Sequence, residues 1–79
     1  MSFMYEVYYD GPRDGGREER ILLIAESHGG ACTYWEDGAG THGKTITLTL
    51  EFETAEAATQ AMTETTSAGY YAEGPYSYG

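Results

Sequence analysis

The stretch from Lys44 to Glu53 constrains the fold of this chain more than any other. Large apolar side chains alternate strictly there with threonine and glutamate: Ile46, Leu48, Leu50 and Phe52 against Thr45, Thr47, Thr49, Glu51 and Glu53. Because successive side chains of a β-strand point to opposite faces, this pattern predicts a half-buried strand. Its aliphatic face belongs to the core, and its Thr/Glu face belongs to the open side of a sheet.

Three further segments have the composition of strands. Residues 3–9 are rich in aromatic and β-forming types and stop at Asp10-Gly11-Pro12, and residues 31–36 form a second such run. Residues 70–78 are aromatic and bend at Gly74-Pro75, which predicts an edge strand or a tail. In the first run, alternation puts two sets of side chains on opposite faces, one of which must be core: Phe3, Tyr5, Val7 and Tyr9 against Met4, Glu6 and Tyr8.

The first helix is predicted over residues 17–28. Asp14 is a suitable cap, acidic residues stand in the first turn, and Gly29-Gly30 end the segment. Leu23 lies about 200° around such a helix from Ile21, on the side opposite the apolar stripe. Either Leu23 is exposed, or the segment is a buried strand.

The second helix is predicted over residues 55–68, between a capping Thr54 and a terminating Gly69. A stripe of small side chains lets this helix pack close to a sheet: Ala58, Ala61, Met62 and Thr65.

The resulting element order, βαββαβ, resembles that of the ferredoxin-like superfold. The resemblance implies an α+β protein with a four-stranded antiparallel sheet and two helices on one face. It rests on element order and implies no activity. Seventy-nine residues make one domain, residues 1–79.

Charge narrows the class of partner. Four basic and thirteen acidic residues give a net charge of −9, and no basic residue follows Lys44. Nucleic acids and anionic membranes are therefore excluded as direct ligands, because binding to phosphates depends on lysine and arginine. A basic patch on another protein is the expected partner.

Three absences predict a soluble, cytoplasmic protein. The single cysteine, Cys32, excludes an intrachain disulfide, and the N-terminus has no signal-peptide pattern. The longest aliphatic run, residues 21–25, is far shorter than the roughly 20 residues that cross a bilayer.

Residues 38–45 match the phosphate-binding pattern GxxxxGK[ST] letter for letter. That motif works when its loop opens a helix whose amides face the phosphates, whereas Lys44-Thr45 opens a strand here. We therefore expect residues 37–43 to be a flexible glycine-rich connection, and we expect no cofactor.

The sequence shows no pattern typical of a metal site or of a catalytic site. His28, Cys32 and His42 match no metal-ligand spacing, and alternation puts Cys32 opposite Thr33 and Trp35 as a small core residue. No carboxylate pair stands out for acid–base chemistry, so the chain is not predicted to be an enzyme.

The hypothesis that remains is a non-catalytic binding protein with an anionic sheet and loop surface. Its predicted partner-binding residues are Tyr8, Trp35, Glu36, Asp37, Glu51, Glu53 and Glu56. In size, charge and element order the chain is similar to phage-encoded inhibitors of host defence, including anti-CRISPR proteins, some of which imitate nucleic acid. That likeness implies an inhibitor.

Two alternatives stay open. One is a dimeric ferredoxin-like protein that binds a small molecule or acts as a small enzyme, with a pocket using His28, Tyr34 or Trp35. In the other, the acidic charge only maintains solubility.

Overall fold

A computed structural model describes residues 2–39 and 44–78, and it contains six elements in the predicted order. They are β1 (Ser2–Asp10), α1 (Gly15–Ser27), β2 (Ala31–Ala39), β3 (Lys44–Phe52), α2 (Ala55–Ser67) and β4 (Tyr71–Tyr78). All strand pairings are antiparallel, in the order β2-β3-β1-β4. The predicted α+β class and ferredoxin-like βαββαβ fold are confirmed.

One face of the sheet carries the core. Tyr5 and Val7 of β1 stand opposite Leu50 and Leu48 of β3, and all four side chains are buried. The two helices pack on this same face through small and aliphatic side chains: Ile21 and Ala25 of α1, and Ala58 and Ala61 of α2. The predicted aliphatic face of β3 and the small-residue stripe of α2 are therefore confirmed as core. We term this side of the sheet the helix face.

Both helices begin at the predicted caps. The Asp14 carboxylate accepts a hydrogen bond from the Arg17 amide at 3.1 Å, and the Thr54 hydroxyl accepts one from the Ala57 amide at 3.1 Å. Leu23 is 55% exposed within a continuous α1, which confirms the helix and excludes the strand interpretation. Neither described helix is long and apolar enough to cross a membrane.

Strand β2 departs from prediction at a bulge. Cys32 pairs with Leu50 and Tyr34 with Thr49, so Thr33 is an additional residue in the ladder. Trp35 consequently stands opposite Leu48 and shares the helix face with Cys32. The prediction that Cys32 and Trp35 lie on opposite faces was wrong, because simple alternation takes no account of a bulge.

Strand β2 also continues further than predicted, through Ala39. Residues 37–39 were predicted as part of the glycine-rich loop and are instead paired with β3. The remaining residues of that loop prediction, 40–43, lie outside the described residues.

Strand β4 is an edge strand, as predicted, and it too contains a bulge. Between the pairs Met4–Tyr76 and Glu6–Glu73, β1 advances two residues while β4 advances three. Gly74 lies in this bulge, where a Cβ atom would stand 3.1 Å from the Cα atom of Tyr5. The close approach of the two backbones therefore favours glycine at this position.

Candidate functional site

The face of the sheet opposite the helices is built from rows of side chains that cross all four strands. Cross-strand partners share a face, so the register defines each row. From β2 to β4, the rows are Ala31, Glu51, Met4 and Tyr76; Tyr34, Thr49, Glu6 and Glu73; and Glu36, Thr47, Tyr8 and Tyr71. We term these twelve residues the open face.

Three tyrosine–glutamate pairs stand on this open face, one on each of three strands. In every pair the phenol donates a hydrogen bond to a glutamate two residues away, because residues i and i+2 of a strand share a face. The pairs are Tyr34 to Glu36 at 3.0 Å on β2, Tyr8 to Glu6 at 3.1 Å on β1, and Tyr71 to Glu73 at 2.5 Å on β4. We term them the Tyr–Glu pairs.

The Tyr–Glu pairs keep their phenols protonated. Burial, followed by the hydrogen bond to Glu6, raises the pKa of Tyr8 to about 12. The hydrogen bonds to Glu36 and Glu73, with the negative charge of these glutamates, raise the pKa values of Tyr34 and Tyr71. At neutral pH each pair therefore offers an aromatic ring, a phenol that is already donating, and a carboxylate.

The open face is rich in aromatic surface and carries one sign of charge. Tyr34 is 57% exposed and Tyr71 61%, so both present a large aromatic surface to solvent. The three rows contain four carboxylates and no lysine or arginine: Glu6, Glu36, Glu51 and Glu73. Glu6 and Glu73 are direct cross-strand neighbours, an arrangement of like charges that costs stability.

The structure brings only part of the predicted site together. Tyr8, Glu36 and Glu51 lie on the open face. Trp35 and Asp37 stand opposite Leu48 and Ile46, which puts them on the helix face. The other two predicted residues lie beyond the sheet: Glu53 follows β3, and Glu56 is in the first turn of α2.

Four of the six residues of the Tyr–Glu pairs were missing from the predicted binding residues: Glu6, Tyr34, Tyr71 and Glu73. A short signal in the sequence marks them, since tyrosine and glutamate stand two residues apart in all three strands. The pattern occurs at 34–36 and 71–73, and in reverse order at 6–8. Spacing of two within predicted strands could have identified the pairs, although not their neighbourhood across the sheet.

A second cluster of charged and aromatic residues lies on the helix face, where β1 leads into α1. The buried Glu18 carboxylate accepts hydrogen bonds from Arg13, at 2.6 Å from Nη2 and 3.1 Å from Nε, and a further one from the Tyr9 hydroxyl. The Arg13 guanidinium lies 3.7 Å from the centre of the Trp35 ring. These contacts tie the segment before α1 to the sheet, and they give Trp35 a structural role.

Glu18 is held ionised by this cluster. The hydrogen bond from Arg13 lowers the pKa of the Glu18 carboxyl against the opposing effect of its burial, and the Tyr9 hydroxyl adds to the lowering. An open groove of about 460 Å³ beside the cluster includes Arg13 and Arg17 in its lining. Arg13 is engaged by Glu18, and Arg17 lies 3.9 Å from Asp14.

Two of the three residues considered for metal binding, His28 and Cys32, are engaged in other contacts. His28 caps the end of α1, with Nε2 2.9 Å from Oε1 of Glu64 on α2, whereas Cys32 packs against the core. Within residues 2–39 and 44–78, no group of three or more histidines, cysteines or carboxylates is arranged to hold a metal ion. His42 lies outside the described residues. Lys44-Thr45 opens β3, so the part of the phosphate-binding pattern that should start a helix starts a strand.

The sequence matches none of the protein-family models and none of the curated proteins with which it was compared.

Proposed function

We propose that this chain is a non-catalytic binding protein whose open face docks on a basic patch of a partner protein. The observation that carries the proposal is the set of three Tyr–Glu pairs on a sheet face whose rows contain no lysine or arginine. Exposed tyrosines provide contact area at a low cost in side-chain entropy, because only two side-chain torsions become fixed. The carboxylates provide charge complementarity, which accelerates association and discriminates against anionic competitors.

The direct cross-strand pairing of Glu6 with Glu73 also supports the proposal. In the free protein the two glutamates occupy directly paired positions on adjacent strands, where like charges repel. A cation from a partner that lies over this pair would relieve the repulsion on binding.

A more specific form of the proposal is that the partner's basic patch otherwise binds nucleic acid. The protein would then act as an inhibitor by occupying that patch, as a nucleic-acid mimic. Its net charge of −9 and the carboxylates of the open face support this form. Competition by a DNA duplex for the same partner would distinguish it from a partner with no nucleic-acid function.

The test is a binding measurement with two charge-matched variants. The probe is a fluorescent peptide of alternating basic and Gly/Ser residues, followed by anisotropy at increasing salt. The open-face variant is Glu6→Gln/Glu36→Gln/Glu73→Gln, and the control is Glu19→Gln/Glu26→Gln/Glu56→Gln on exposed helix positions. Both variants remove three negative charges.

We expect wild type and control to bind with an affinity that decreases as salt rises, because exposed charges are screened. The open-face variant should bind about tenfold more weakly, a loss of about 1.4 kcal/mol. Equal losses in the two variants would contradict the proposal and would leave the acidic charge as a general solubilising feature.

A homodimer formed through two open faces is the main alternative, and charge disfavours it. Such a dimer would bring the carboxylates of Glu6, Glu36, Glu51 and Glu73 against the same set of carboxylates in the second copy, without compensating cations in those rows. Light scattering at neutral pH should therefore give the monomer mass. A dimer mass that reverts to monomer in a Tyr71→Thr variant would favour the alternative.

A further inference from the structure

The arginines of this protein show how its aromatic and acidic side chains hold a guanidinium. Arg13 lies over an indole, with its Cζ atom 3.7 Å from the centre of the Trp35 ring. The same guanidinium donates two hydrogen bonds to the Glu18 carboxylate, at 2.6 and 3.1 Å. The arrangement has three parts: a ring beneath, a carboxylate beside it, and an arginine that satisfies both.

A looser version of this arrangement occurs at the start of α1. The Arg17 guanidinium is 5.1 Å from the centre of the Tyr9 ring and 3.9 Å from the Asp14 carboxylate. Tyrosine therefore replaces tryptophan as the ring in this second example. Both examples lie on the helix side of the molecule.

The open face presents the first two parts of this arrangement without the third. In the pair Tyr34–Glu36 the phenol engages Oε1 of the glutamate, and in Tyr71–Glu73 it engages Oε2. One oxygen of each carboxylate thus takes the phenol's hydrogen bond, which leaves acceptor capacity on the other. Both tyrosines are more than half exposed, and the rows hold no arginine or lysine.

We propose that Tyr34–Glu36 and Tyr71–Glu73 bind arginine side chains of the partner in preference to lysine. This inference rests on the proposed function, and it names the chemistry that the open face selects. A guanidinium stacks on a ring while donating in its own plane to a carboxylate, whereas the ammonium of lysine is a compact, strongly hydrated point charge. Charge complementarity alone would not distinguish the two cations.

The spacing of the two pairs defines the segment that fits. They lie on the outer strands β2 and β4, separated by three inter-strand steps of about 4.8 Å, or about 14 Å in all. Two residues four apart in an extended chain are about 13 Å apart. An extended segment with arginines separated by three residues therefore reaches both pairs at once, and it crosses the threonines of β3 and the Tyr8–Glu6 pair of β1 on the way.

The test compares three labelled peptides that share this spacing. Each contains four identical residues separated by three Gly/Ser residues: arginine, lysine, or citrulline, which is neutral and close in shape to arginine. For the wild-type protein we expect the arginine peptide to bind about tenfold more tightly than the lysine peptide. We expect the citrulline peptide to bind more weakly than both.

Two variants show whether the rings cause the preference. In Tyr34→Thr/Tyr71→Thr the rings are lost and a β-forming residue remains, so the preference for arginine should disappear while salt-dependent binding of both cationic peptides persists. In Tyr34→Phe/Tyr71→Phe the rings are kept, and the preference should be largely retained. Circular dichroism of each variant verifies that the fold is unchanged.

The outcomes separate this inference from the proposed function. Equal, salt-dependent affinities for arginine and lysine peptides in the wild type would overturn the arginine preference and leave the basic-partner proposal standing. Binding of neither cationic peptide above the citrulline peptide would overturn both. An arginine preference that survives in the threonine variant would overturn the assignment to Tyr34 and Tyr71.

Discussion

Glu6 on β1 and Glu73 on β4 stand directly opposite each other on the open face, each accepting a hydrogen bond from a tyrosine of its own strand. Like charges at directly paired positions of adjacent strands destabilise a sheet. The phenols of Tyr8 and Tyr71 compensate for part of this repulsion. The repulsion that remains should be measurable as an increase in the free energy of unfolding when one of the two glutamates is replaced by a neutral side chain.

Glu73→Gln should therefore stabilise the protein, by about 0.2–1 kcal/mol in the free energy of unfolding at low salt. Glutamine keeps an oxygen for the Tyr71 hydroxyl and removes the repulsion. The matched control is Glu51→Gln, because Glu51 lies on the same face opposite Met4 and Ala31, which carry no charge. Urea denaturation of both variants measures the difference. A Glu73→Gln protein no more stable than Glu51→Gln would show that the repulsion is already fully compensated.

Acid should weaken the fold through Glu18. The pKa of the Glu18 carboxyl is lowered in the folded state, mainly by Arg13. Its ionised form therefore stabilises the fold fully above the unfolded pKa of about 4.3, and this stabilisation is lost as pH falls through the folded pKa. Glu18→Gln removes this dependence and weakens the contacts to Arg13 and Tyr9, costing about 1–3 kcal/mol at neutral pH. Urea denaturation at neutral pH and at about pH 3 should show the gap between wild type and variant narrowing in acid. A gap of constant size would contradict the assigned ionisation.

Alkaline pH should destabilise the fold by deprotonating the Tyr8 phenol. Because the pKa of Tyr8 is raised in the folded state, its protonated phenol stabilises the fold fully below about pH 10, the pKa of an unfolded tyrosine. This stabilisation is lost as pH rises toward about 12. NMR of the tyrosine Cζ carbons measures the titration, with Tyr8→Phe providing the assignment. In Glu6→Gln the Tyr8 pKa should decrease, because the hydrogen bond to a charged acceptor is gone while burial remains. A Tyr8 that titrates near the ordinary value in wild type would refute this account of the pair.

Packing between α1 and the sheet edge depends on the absence of a side chain at Gly30. A Cβ atom there would lie 2.3 Å from the Phe52 ring, far inside van der Waals contact. Gly30→Ala should therefore cost about 1–3 kcal/mol through overpacking of the core. Gly15→Ala at the start of α1 is the control, because a Cβ atom there meets nothing within 4 Å. Thermal denaturation of both variants tests the difference, and equal stabilities would contradict the packing described for Phe52.

Much of the fold follows from local patterns along the sequence. The alternation from Ile46 to Phe52 predicts which face of β3 is buried, because the buried face is repeated at every second residue. Asp14 and Thr54 predict the helix starts, because capping needs only a side-chain oxygen close to free amides. These features depend on neighbours within a few residues, which a sequence displays directly.

The candidate site was less accessible to prediction because it depends on pairing between distant strands. The bulge at Thr33 reverses the faces of the residues that follow it, which moves Trp35 and Asp37 away from Glu51. A second bulge around Gly74 sets Glu73 opposite Glu6. Both bulges are properties of a strand and its partner together, so alternation within one strand cannot locate them.

Binding of a basic partner by the open face can be tested by mapping the contact with NMR. The titrant is the peptide with four arginines spaced by three Gly/Ser residues, added to isotopically labelled protein at low salt. We expect the largest shift changes at the amides and side chains of Tyr34, Glu36, Tyr71 and Glu73, decreasing when salt is added. Changes concentrated on α1 and α2, with the open face unaffected, would contradict binding of basic partners at the open face.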